Sequence, residues 1–319
     1  MVREIASWID AERAGAFCGR YALLVFSLSA VGLFTAGISL WCLLDRLESR
    51  VRHSALRYGQ QGPCSPILST FRDRFLGPFT HLVDCRSPVD HLVPFFTISL
   101  VSLTVTGAGF LILALEIGQQ DWLVQFDHAL SASLHEHSPV NAVWIFQLVS
   151  GFGDPSTLAS ISLLFLIAMA VAGQWRLFFL WTITLPGAGI LNQVLKNALQ
   201  RPRPQLPNPW IAESGWSFPS GHAMCSVVIF GLLAYSICFL PTSRAVRLVF
   251  GLSMILLVTA IGFSRLYLGA HYFSDVIAGY FAAIFWLVIC TAGDQAVRGR
   301  QKASALLEET KGISALPND

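Results

Sequence analysis

Repeated apolar stretches of about 20 residues constrain this chain more than any other feature. The hydrocarbon core of a bilayer is about 30 Å thick, so a helical span needs about 20 mostly apolar residues. Seven stretches meet or approach that length: 21–44, 92–115, 156–173, 177–195, 223–240, 247–263 and 276–292. In lipid every backbone N–H and C=O must be satisfied within the protein, which leaves helices or closed barrels. The runs here lack the alternation of a barrel strand. Only 13% of the 319 residues are charged, against about 25% in an ordinary soluble domain. The expected fold is therefore all-α, a polytopic membrane helical bundle of about seven transmembrane helices. The first stretch begins some way into the chain and is followed by "LLDRLESRVRHS" rather than by a small-residue cleavage site. It reads as a span and not as a secretory signal.

Charge sets the orientation, because Lys and Arg concentrate on the cytoplasmic side. The stretch 45–91 holds seven arginines, Arg46, Arg50, Arg52, Arg57, Arg72, Arg74 and Arg86, whereas 116–155 holds no Lys or Arg and five acids. The first is then inside and the second outside. "GQWR" at 173–176, "PTSRAVR" at 241–247 and the tail with Arg298, Arg300, Lys302 and Lys311 fall inside on the same count. The chain is expected to have its N-terminus out and its C-terminus in. After residue 91 four basic residues break the rule by falling outside: Lys196, Arg201, Arg203 and Arg265. They lie on two outer loops, and an exception to a topology rule marks a candidate site.

Other features exclude function classes. The net charge is +2, with no basic tract, so nucleic acid is not an expected partner. The seven cysteines form no CxxC pair and mostly sit in apolar segments, which points to no disulfide framework and no metal. The segment 45–91, with "GQQGPCSP", reads as a cytoplasmic linker. In 120–139, Trp122, Leu123, Phe126, Leu130 and Leu134 have helical spacing, as expected of an amphipathic helix lying along the outer interface. Tyr267 and Tyr272 read as interfacial aromatics, and His128, His135 and His137 as exposed polar residues on the interface helix.

Three outer clusters carry chemistry: "KNALQRPRP" at 196–204, "FPSGHA" at 218–223 and "SRLYLGAHYFSD" at 264–275. Taken singly, Lys196 is a snorkelling anchor, "RPRP" a stiff turn and "SGH" a helix cap. Taken jointly they supply more. Lys196, Arg203 and Arg265 bring converging positive charge, and arginine suits bidentate capture of phosphate oxygens. Ser220 and Gly221 open a helix, where free N–H groups and the helix dipole favour an anion. His271 and Asp275 are four apart, so they share a face if the last helix has begun by then. A carboxylate beside an imidazole fixes its tautomer and leaves the other nitrogen as a nucleophile. His222, unpaired in this reading, is the proton donor.

The pattern Lys196–x6–Arg203–Pro204, Pro219–Ser220–Gly221–His222 and Ser264–Arg265–x5–His271–x3–Asp275 resembles the three-part signature of the type 2 phosphatidic acid phosphatases. Their superfamily includes vanadium haloperoxidases and bacterial diphosphatases of undecaprenyl diphosphate. Arg201–Pro202 nearly duplicates the arginine motif, but only Arg203–Pro204 has the family spacing. The resemblance implies a six-helix phosphatase core over 92–295, preceded by an extra span and basic linker at 1–91 and followed by a cytoplasmic tail at 296–319. It implies that His271 attacks phosphorus, Asp275 orients it, and His222 protonates the leaving oxygen. Lys196, Arg203, Ser220, Gly221 and Arg265 would hold the phosphate, with no metal or other cofactor. The expected activity is hydrolysis of a lipid phosphate or diphosphate, such as undecaprenyl diphosphate, phosphatidylglycerol phosphate or phosphatidic acid. The expected setting is the outer face of a bacterial inner membrane. Transfer of the phosphate to a second acceptor, or lipid carriage without turnover, are the alternatives.

Overall fold

The computed structural model describes residues 10–32, 35, 92–118, 122–207 and 209–314. The linker at 45–91, the end of the first expected span and Cys42, Cys64 and Cys85 lie outside them. Among the described residues there is no strand. The helices are α1 (Ala11–Arg20), α2 (Ala22–Gly32), α3 (Leu92–Glu116), α4 (Trp122–His137), α5 (Val143–Gly151), α6 (Pro155–Val171), α7 (Trp175–Leu199), α8 (Gly221–Ile237), α9 (Arg244–Tyr267) and α10 (Phe273–Ser314). The chain divides into two compact units, one of 1–37 with 103–287 and one of 38–102 with 288–319. The site described below lies in the first.

Five described helical runs are long and apolar enough to cross a membrane: Phe95–Glu116, Val140–Val171, Trp175–Leu199, Arg244–Tyr267 and Phe273–Gln301. The protein is an all-α integral membrane protein. The details differ from the expected seven spans in three places. α1 and α2 meet at a 76° bend, so the described part of the first span is preceded by a separate helix. The third span was expected to start at 156, but its apolar helical run begins at Val140 and breaks at residues 152–154 before resuming as α6. α8 has 17 residues, the lower end of the range that spans a bilayer. It is buried along much of its length, so protein rather than lipid surrounds it.

Side chains that lock the helices together are mostly small or aromatic. Trp181, fully buried, stacks on Phe165 with centroids 4.2 Å apart and donates to Ser236 Oγ at 3.2 Å, joining α6, α7 and α8. Trp286 donates to the Thr184 carbonyl at 2.9 Å, two residues before Pro186 in α7. At Gly279 a Cβ would lie 2.8 Å from the Ser220 carbonyl. The missing side chain lets α10 press against the start of α8. The helix expected within 120–139 forms as α4, and α1 packs on it. A Cβ at Gly15 would lie 2.7 Å from the Phe126 carbonyl, and one at Gly19 2.7 Å from Ser133 Cβ. Small residues four apart let two helix backbones approach closely.

Candidate active site

α7 ends at Gln200, which takes the left-handed conformation at φ 46° and closes the helix through its N–H to the Lys196 carbonyl. The chain then turns into the loop 201–217. The base of this loop is closed by Ser217 N–H donating to the Arg201 carbonyl at 2.8 Å. Lys196 reaches across to the Trp216 carbonyl at 2.5 Å. Arg203 donates to the neighbouring Gly215 carbonyl at 3.1 Å, to Ala270 O at 2.9 Å, and lies 3.3 Å from Nε2 of His271. Arg265, near the end of α9, donates to Ser150 Oγ at 2.6 Å. Glu213 bridges the two arginines, accepting from Arg203 at 2.8 Å and also from Arg265. Arg203 and Arg265 thus converge on one carboxylate, beside the ring nitrogen of His271.

His271 lies in the turn before α10 rather than on the helix. Its Nδ1 stands 3.4 Å from Asp275 Oδ2 and 3.4 Å from Ser217 Oγ. The condition for a shared helical face, that the last helix has begun by His271, is not met. Asp275 sits in the first turn of α10 and reaches back to the N–H of Tyr272 at 2.9 Å. That is the return arm of a capping box, and it draws the preceding turn onto the carboxylate. Asp275 also accepts from Ser217 Oγ and from Arg201 Nη1 at 2.7 Å. His271 is 2% exposed and Asp275 fully buried. Burial pushes the His271 imidazole down to about 3, Asp275 pulls it back, and the positive charges of Arg203 and Arg265 push it further down. The ring is neutral at ordinary pH, with Nε2 facing Arg203.

His222, on the first turn of α8, is not unpaired as the sequence reading had it. Its Nε2 lies 2.7 Å from Asp154 Oδ1. Asp154 occupies the N-cap position of α6, ahead of Pro155, yet its side chain caps nothing there. The segment 150–154 therefore serves the site twice, through Ser150 on Arg265 and Asp154 on His222. The Ser220 hydroxyl is fully buried and accepts from Ala223 N–H at 3.5 Å, so here it caps α8. Gly221 faces α7, where a Cβ would lie 3.2 Å from Asn192 Oδ1. An apolar groove of about 480 Å³ opens beside His222, walled by α6, α7 and α8 through Leu158, Leu185, Ala188, Cys225 and Val228.

Sequence reasoning gave no role to Ser150, Asp154, Glu213 or Ser217, and none to Asp127. It also misplaced two tyrosines. Tyr267 and Tyr272 are buried rather than interfacial. Tyr267 donates to the Pro139 carbonyl at 2.7 Å, and Tyr272 lies beneath the Arg201 guanidinium, 4.3 Å from ring centroid to Cζ. The three histidines of α4 are engaged as well: His128 with Tyr272 OH, His135 with the Pro207 carbonyl and His137 with Arg20. Among the described residues no group of three or more His, Cys, Asp or Glu is arranged to hold a metal ion.

This helical membrane protein gathers three cations and two His–Asp pairs at one end of its spans, a set whose chemistry suits a compact anion. The comparisons narrow that reading. Residues 175–298 match the sequence model of the PAP2 superfamily. Phosphatidylglycerophosphatase B of Bacillus subtilis (strain 168) is 34% identical over 116 residues, 35% of this chain and 56% of the relative. The match thus spans little more than half of that relative's length. Lipid A 1-phosphatase of Rhizobium etli is 29% identical over 194 residues, 53% of this chain and 77% of that protein. The crystal structure of a transmembrane PAP2-type phosphatidylglycerolphosphate phosphatase from Bacillus subtilis superposes with a TM-score of 0.58. It is 24% identical, with 61% of this chain and 97% of that chain covered, and the likeness speaks for the fold.

Proposed function

We propose that this protein is a membrane lipid phosphatase that works through a phosphohistidine. The observation that carries the reading is the placement of His271. One ring nitrogen is held toward the buried Asp275, while the other faces Arg203, which shares Glu213 with Arg265. An incoming phosphate takes the place of the Glu213 carboxylate between the two arginines. Nε of Arg265, buried with no hydrogen-bond partner among the described residues, is a further donor for it. His271 Nε2 forms the bond to phosphorus as the bond to the lipid oxygen breaks, and His222 gives its proton to that oxygen. Water then attacks phosphorus and passes a proton to His222. The N–P bond breaks, and inorganic phosphate and free His271 remain. Lys196, Arg203, Arg265 and the Gly221 N–H hold the charge that develops on the phosphoryl oxygens, usually the largest catalytic contribution.

The apolar groove beside His222 gives the departing lipid a place for its chain on the side where the leaving oxygen is protonated. The candidate substrates are phosphatidylglycerol phosphate, phosphatidic acid, undecaprenyl diphosphate and, from the second relative, the 1-phosphate of lipid A. The reading places the site on the outer face of a bacterial inner membrane, following the scarcity of basic residues in 116–155. The test is phosphate release from this panel by detergent-purified protein, with and without a metal chelator. At least one lipid should be turned over with chelator present, and His271→Ala should reduce turnover on the order of a thousandfold or more. No turnover of any lipid, or an active His271→Ala, overturns the reading.

A further inference from the structure

Behind Asp275 lies a buried ion network that the reaction above does not use. Arg201 donates through Nη1 to Asp275 Oδ1 and to Ser274 Oγ, both at 2.7 Å, and through Nη2 to Asp127 Oδ2 at 2.8 Å. Asp127 also accepts the Ser274 backbone N–H at 3.1 Å and the Ser274 hydroxyl. Asp127, Ser274 and Asp275 are fully buried and Arg201 is 8% exposed. Asp127 comes from α4, outside the residues 175–298 that match the PAP2 model.

The charge arithmetic gives Asp127 a purpose. A carboxylate that shares its charge with a guanidinium at 2.7 Å is a weak partner for an imidazole. With Arg201 alone, Asp275 would belong to a neutral pair, and His271 would gain little from it on becoming positively charged. A second carboxylate on the other arm of the same guanidinium changes the balance. The three groups Asp127, Arg201 and Asp275 carry −1, +1 and −1, a net −1, and one negative charge is left for His271. Arg201 meanwhile fixes one oxygen of Asp275, so the other is aimed at the ring. Such an arrangement in a low-dielectric site is strong only when every member is satisfied. Here Ser274 supplies the remaining donors to Asp127.

We propose that Arg201 and Asp127 are positioning residues for the His271–Asp275 pair, with Arg201 aiming Asp275 and Asp127 keeping its charge available to His271. This rests on His271 being the nucleophile. The phosphate-binding cations Lys196, Arg203 and Arg265 make no hydrogen bond or ion pair with Asp127. The proposal therefore predicts an effect on turnover and not on substrate capture.

The experiment uses the full chain in detergent with Asp127→Asn, Arg201→Gln and the double variant, and His271→Ala alongside. For Asp127→Asn, kcat falls about 10–100-fold, the range typical of outer partners of an active group, while KM stays within about twofold. Arg201→Gln leaves two buried carboxylates without the cation they share and falls further. Adding Asp127→Asn to it restores the net charge of −1, so the double variant exceeds Arg201→Gln by about threefold or more, a non-additivity expected only of directly coupled groups. Orthovanadate binding follows the same order and needs no turnover. An Asp127→Asn variant with wild-type kcat, or a double variant below both singles, overturns the proposal. If Arg201→Gln is not recovered folded, Arg201→Lys and the kcat-against-KM split of Asp127→Asn decide it. An active His271→Ala instead overturns the phosphohistidine reading on which it stands.

Discussion

His271 is kept uncharged by burial, and this has a consequence for stability. Its pKa is pushed from the ordinary histidine range to about 3 in the folded protein. Between the two values the unfolded chain binds a proton at this residue that the native state does not. Stability therefore falls as pH falls through this window, with a slope of up to about 1.4 kcal/mol per pH unit. His271→Gln removes that contribution. Its melting temperature should drop less steeply than the wild type's between pH 6.5 and 4, and equal slopes would show that the ring is not held neutral. A second expectation concerns Asp154. If its carboxylate sets the tautomer of the proton donor, Asp154→Asn should slow lipid monoesters by about 10²-fold and an aryl phosphate with a good leaving group far less. Equal losses on both substrates would argue against a leaving-group role. The cations and His271 were legible in the sequence because charge is conspicuous among apolar residues. Asp154 was not, since Asp–Pro ahead of an apolar run looks like an ordinary helix start, and its partner His222 is 68 residues away. Asp127 did leave a trace. It falls on the apolar face of α4 defined by Leu123, Leu130 and Leu134, where an acid is out of place.

At the scale of elements, the site depends on how closely a few helices approach. Gly279 brings α10 against the start of α8, which carries His222. Gly279→Ala would put a methyl against backbone, where little can move. A loss of about 1–3 kcal/mol and reduced turnover are expected, measurable by thermal unfolding and by assay of the surviving folded protein. The α1–α4 contact is a separate case. Gly19→Leu should pry α1 from α4 and lower the melting temperature by several degrees. If α4 then shifts, kcat should fall too, because α4 carries Asp127. The spans could be found from hydropathy because lipid demands a long apolar run. The bend before α2 and the break at 152–154 could not, since both are set by what the neighbouring helices leave room for. The tyrosines show the same limit. An aromatic near a span end looks interfacial until the loop that covers it is known.

For the whole molecule, the orientation read from basic residues is open to direct test. Gln205 is exposed in the 201–217 loop. A Gln205→Cys protein in intact bacterial spheroplasts should react with a membrane-impermeant maleimide added outside, and labelling only after lysis would place the site on the inner face. The same loop has a further property. Its first residue, Arg201, and its last, Ser217, are joined to each other and both to Asp275. The closure is made at the base of the loop. Lengthening such a loop costs only about 0.6 kcal/mol per doubling. Arg203 and Glu213 within it must keep their places beside His271 and Arg265, so the part open to exchange is the stretch between those two. That stretch can be extended or exchanged near Gln205 to meet a bulkier headgroup while His271 stays where it is.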